Sequence, residues 1–183
     1  MMNLGSVPSP HVSTAQGVRL VAEPSRLDFL HTTEVEVGGA PSALEAYCAM
    51  TSDIPAWLSG AFRIRDLISR YFNVDTIQGF TPRDAQHLPA LGERLDFFTV
   101  EGITPRQLVL TSRDTHLAVM VCLDLTPLLA SETAPRLWRL RVTTSVEQFN
   151  TFGRLYMVPV APTHGLIVKR MLRNVVATYP PLR

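Results

Sequence analysis

A chain of 183 residues suits one domain with a sizeable core. Hydrophobic residues make up 46% and charged residues 18%, the balance of a globular chain and not of a disordered one. Seventeen Lys and Arg against sixteen Asp and Glu leave a net charge of +1, so no general attraction to nucleic acid or to an anionic surface follows.

Residues 1–24 mix Ser, Pro, Gly and small side chains and read as a mobile or loosely packed N-terminal arm; residues 25–183 read as a single domain. The stretch "MMNLGSVPSPHVSTAQG" lacks a basic region followed by an apolar run, so no signal peptide is read there. Cys48 and Cys122 lie far apart and show no CxxC or Cys/His ligand spacing. Buried free thiols in a reducing, cytoplasmic compartment are the expectation.

"DFLHTTEVEV" alternates, with Phe29, His31, Thr33, Val35 and Val37 on one side and Thr32, Glu34 and Glu36 on the other, the pattern of a half-buried strand. "GGAP" ends it, and Pro41 suits the first turn of a helix. "SALEAYCAM" then sets Leu44, Tyr47 and Cys48 on one face of a short helix. After "SDIP", the segment "AWLSGAFRIRDLISRYF" puts Trp57, Ala61, Ile64, Ile68 and Tyr71 in one stripe, which predicts a second amphipathic helix ending near Asn73.

From residue 76 the period changes to two. "TIQGF" reads as a short strand, and "RLDFFTVEG" and "PRQLVLTSRD" read as a hairpin pair. "THLAVMVCLDL" carries Leu117, Val119, Val121, Leu123 and Leu125 on one face and His116, Ala118, Met120, Cys122 and Asp124 on the other. "LWRLRVTTSVEQ" sends Trp138, Leu140, Val142, Thr144 and Val146 inward and Arg139, Arg141, Thr143, Ser145 and Glu147 outward. The two outward arginines read as a solvated face. Strands joined by short turns make an antiparallel meander, which can keep one face wet while the other must be covered.

Residues 151–176 read as the last helix, capped by Asn150 or Thr151, with Val160, His164, Ile167, Val168, Met171, Leu172 and Val175 on one broad face. Pro159 and Pro162 each remove a backbone bond, at about 3 kcal/mol inside a straight helix. One reading is a bent helix through both prolines; the other starts the helix only at Pro159, with Gly153–Met157 extended. His164, Gly165 and the pair Lys169-Arg170 break the apolar run well short of the roughly 18 residues a membrane span requires.

One strand, two shorter helices, a meander and a long C-terminal helix are the α+β layout of the helix-grip fold. In it a curved antiparallel sheet wraps a long C-terminal helix and a cavity remains between them. The segments "AWLSGAFRIRDLISRYF", "RLDFFTV" and "TSVEQFNTFGRLYMVPVAPTHGLIVKRML" resemble the bacterial family catalogued as domain of unknown function 2867. The residues that carry the resemblance are Arg65-Asp66, Leu95-Asp96-Phe97, and Asn150, Gly153, Arg154, Leu155, Tyr156, Pro162 and His164. It covers most of residues 28–176. Thr163 stands where family members tend to have an aromatic, and Pro159 is additional; both departures bear on the shape of the helix. The resemblance implies the superfamily of pollen-allergen proteins, lipid-transfer domains and polyketide cyclases, and no agreed activity. In some bacterial proteins this domain follows a dinucleotide-binding one; no GxGxxG fingerprint precedes it here.

His164 is the first candidate for chemistry: on the core-facing stripe, an imidazole can act as base or hydrogen-bonding group. A satisfied core histidine is the alternative. Tyr156 falls roughly toward the same face and would help orient a polar ligand head, or else be a core aromatic with a local acceptor. Arg65 would bind a carboxylate at a cavity mouth, or pair internally with Asp66, Asp96 or Glu101. No GxSxG, P-loop or HExxH occurs, and neither a cofactor nor a metal site is expected. The expected partner is a small hydrophobic or amphipathic ligand, with no nucleic acid and no membrane span. Two other readings stay open: a cyclase or isomerase using His164 as base, and a filled core whose exposed sheet face pairs subunits in a homodimer.

Overall fold

The computed structural model describes residues 12–14, 17–53, 87–128 and 137–181. The expected second helix, the "TIQGF" strand and Arg65 lie outside these described residues. A short ribbon of β1 (Val12–Ser13) and β2 (Arg19–Leu20) comes first. Then follow β3 (Phe29–Val37), α1 (Ala43–Thr51), β4 (Arg94–Leu95), β5 (Phe98–Ile103), β6 (Gln107–Arg113), β7 (Leu117–Pro127), β8 (Trp138–Gln148) and α2 (Thr151–Thr178). The fold is α+β.

The six strands β3 to β8 form one antiparallel sheet in the order β3-β8-β7-β6-β5-β4. From β4 to β8 each strand lies beside its successor, as a meander requires. β3 instead closes on β8, in register from Phe29 opposite Val146 to Val37 opposite Trp138. The expected pairing of "RLDFFTVEG" with "PRQLVLTSRD" forms between β5 and β6, with an irregularity between Val100 and Gly102, but a tight turn at Asp96-Phe97 splits the first segment and folds β4 back on β5.

Alternation decides which face each strand buries. Leu108 and Leu110 of β6, Leu123 and Leu125 of β7, and Leu140 and Val142 of β8 all point to the helical side. There they meet Leu44 and Met50 of α1 and Val168, Leu172 and Val175 of α2. Each such side chain contributes about 1.5–3 kcal/mol of burial. The second face of the sheet is not uniformly wet. Val109, Ala118, Met120 and Cys122 lie beneath Val18, Leu20, Val21 and Ala22, and the Val21 N–H donates to Ser145 Oγ at 3.0 Å. Toward β3 that face is polar: the Glu34 carboxylate accepts from Arg141 Nε at 2.6 Å and lies 3.5 Å from Arg139 Nε.

Both described α-helices begin on side-chain caps. Ser42 and Glu45 form a reciprocal capping box at α1. Asn150 Oδ1 accepts from the Gly153 N–H at 3.1 Å, and its Nδ2 donates to the Thr115 carbonyl at 3.1 Å. Asn150→Ala should therefore lower stability by about 1–2 kcal/mol, read as a shift in the urea midpoint; an unchanged midpoint would deny the cap its role.

α2 runs unbroken through both prolines, so the reading in which it starts only at Pro159 does not hold. The prolines leave the carbonyls of Leu155 and Val158 without their intrahelical donors. Leu155 and Val158 are 68% and 69% exposed, so water can take the place of those donors. No helix among the described residues is long and apolar enough to cross a membrane.

Candidate functional site

Between the sheet and α2 lies a cavity of about 220 Å³. Val119, Val121, Val142 and Val146 form its floor on β7 and β8, and Met157, Val160, Ile167 and Met171 its roof on α2. Tyr47 and Phe97 stand at the end near α1; Ser112, Asp114 and Tyr156 stand at the end near the β6–β7 turn. Val160, His164, Ile167, Val168 and Met171 of the expected stripe thus face this space, and Leu172 and Val175 pack in the core.

His164 is in the cavity wall. Its ring lies edge-on to His31, with centroids 5.3 Å apart, and edge-on to Phe29 at 5.4 Å. Nε2 of His164 is buried and has no hydrogen-bond partner among the described residues. Burial, with a further push from His31, lowers its pKa to about 4, so the imidazole is neutral at physiological pH. A polar nitrogen in that position is destabilising unless something pairs with it.

His31 reaches this point because β3 alternates and sends odd-numbered side chains toward α2. Its Nδ1 is also buried without a partner among the described residues, while Nε2 lies 3.4 Å from Thr33 Oγ1. Gly165 makes room for the ring: a Cβ there would sit 3.0 Å from His31 Nε2. Among the described residues two histidines meet here. His116 sits in the β6–β7 turn, against Asn150 and with its ring centroid 4.6 Å from that of Phe152. Among the described residues no group of three His, Cys, Asp or Glu side chains could hold a metal.

Two polar features of the wall were not foreseen as site residues. The Tyr47 hydroxyl donates to Asp96 Oδ2 at 2.7 Å, and Asp96 has φ of 56° in the tight turn joining β4 to β5. A left-handed position is one that Asp tolerates better than most residues, which is a reason for the Asp in the Leu-Asp-Phe motif. At the opposite end, Asp114 Oδ1 accepts from the N–H groups of His116 at 2.6 Å and Leu117 at 2.9 Å. The signal for it was an Asp at a turn three residues before a strand. Tyr156 takes the cavity-facing position read from its helical spacing.

Cys48 and Cys122 form no disulfide. Burial, reinforced by the neighbouring Asp124 carboxylate, pushes the Cys122 thiol up to about 12, which makes it an unreactive core group.

The model of the family described as "Protein of unknown function (DUF2867)" matches residues 24–171. No curated protein matches the chain.

Proposed function

The chain belongs to the DUF2867 family, and on that premise we propose that it is a helix-grip binding protein. It holds a small apolar or amphipathic molecule between the sheet and α2, with Tyr156 and His164 orienting the polar part. The observation that carries this reading is an apolar space of about 220 Å³ with a neutral, half-buried imidazole in its wall whose buried Nε2 has no partner among the described residues. A cavity of about 150 Å³ accommodates benzene, so this one suits a single ring with a short arm. A ligand group that reached the His164 ring would also relieve the cost of the unpaired nitrogen.

The shifted His164 is the observation that favours an isomerase or cyclase as a second reading. A general base is most effective with a pKa near the working pH. At about 4 the imidazole is a good hydrogen-bonding partner and a weak base, so binding is the better-supported role. The patch formed by Val18, Leu20, Val21 and Ala22 over the outer face also counts against a sheet face kept bare for subunit pairing.

Calorimetric titration with 2-phenylethanol tests the proposal. Saturable binding is expected, and Val121→Phe or Val160→Phe, which fill the space, should weaken it at least tenfold without lowering the melting temperature. Equal binding by the filled variants, or no saturable binding by the native chain, would refute the cavity as a ligand site.

A further inference from the structure

We propose that the cavity selects molecules that carry a cationic amine at the end received by Asp114 over carboxylates of the same shape. This deepens the binding reading above and rests on it. Among the described lining residues Asp114 is the one acidic side chain, and neither lysine nor arginine accompanies it. The adjacent Arg113 belongs to the other face of β6, where it lies 3.8 Å from Glu101. His164 is held neutral and does not offset the negative charge.

The carboxylate is fixed before any ligand arrives. Oδ1 is held by two backbone N–H groups of the turn, and Oδ2 has no partner among the described residues. An ammonium group is the strongest match for an open carboxylate oxygen, because the hydrogen bond is charge-assisted. The apolar wall raises the worth of that contact and of the opposing repulsion toward a second carboxylate. Ser112, at the same end, carries a hydroxyl that can donate or accept as the head group requires.

The test uses three probes on one skeleton: 2-phenylethylamine, 2-phenylethanol and phenylacetate. Each is titrated calorimetrically at pH 7 and low salt into the native chain and into Asp114→Asn. Asparagine keeps a carbonyl oxygen for the two turn N–H groups, so the turn persists. The native chain should bind the amine at least tenfold more tightly than phenylacetate. Asp114→Asn should weaken the amine about tenfold and remove its advantage over the alcohol. The ranking of probes on the native chain needs no variant, so it stands even if the substitution impairs folding. If the alcohol binds but the amine is no tighter than the acid, or is unaffected by Asp114→Asn, the selectivity is overturned and the cavity reading survives. If no probe saturates, the cavity reading fails and this inference fails with it.

Discussion

Gly153→Ala is expected to destabilise the chain by about 3 kcal/mol, although alanine is the better helix former by about 1 kcal/mol. The reason is a backbone contact. A Cβ at Gly153 would run into the carbonyl oxygen of His116 and come within 3.7 Å of Gln148 Cβ. That carbonyl cannot swing aside, because it accepts from the Phe149 N–H at 2.8 Å in the turn that leads into α2. Relief must come from displacing the first turn of the helix, which is held by Asn150 through Gly153 N and Thr115 O. For a chain of this size about 3 kcal/mol corresponds to roughly 6–12 °C in melting temperature. Gly165→Ala is the matched control. There the obstructing atom is the tip of the His31 ring, a side chain that can turn, and the helix-propensity gain offsets much of the clash. The pair is measured by thermal and urea unfolding. A Gly153→Ala protein as stable as the native chain would mean that the helix start adjusts freely and that the glycine is not there for close approach.

The same glycine shows where sequence reasoning reaches and where it stops. Gly153 stood out as part of a motif, but the partner that requires it, the His116 carbonyl, lies on the turn before β7. Local patterns were legible because their causes are local. The alternation in β3, β7 and β8 follows from the two-residue period of a strand, and the inward stripe of α2 from the helical one. Ala118, Met120 and Cys122 were also visible as apolar on what was read as the second face of β7. A face left wholly to water would not carry them, and Val18 to Ala22 supply the cover. The meeting of His31 and His164 was not legible. It depends on β3 taking the sheet edge beside β8, a pairing across more than a hundred residues that no local period encodes. Asp114 was hidden for another reason. An acidic residue at a turn is ordinary turn chemistry, and only the cavity behind it gives its side chain a second meaning.

The His164 ring should also make stability depend on pH, in a direction that its burial fixes. In the unfolded chain a histidine titrates near 6.5; in the folded chain this one titrates at about 4. Above pH 6.5 both states hold the ring neutral and stability is at its full value. Between 6.5 and 4 the unfolded chain takes up a proton that the folded chain refuses, so stability falls as pH falls. Below about 4 both states are protonated and the contribution of this group levels off. The whole displacement amounts to about 3 kcal/mol. Side-chain carboxylates add their own losses at the acid end, so the informative quantity is the native curve minus that of His164→Leu. That difference should be flat above pH 7 and fall by about 3 kcal/mol between pH 7 and pH 4. At pH 7.5 the leucine variant should be at least as stable as the native chain, because it replaces a buried nitrogen that has no partner among the described residues with an apolar group of similar size. Urea unfolding at half-unit steps of pH gives both curves. Parallel curves would mean that water or a proton reaches the ring freely, which removes the apolar wall from which the roles of His164 and Asp114 were argued.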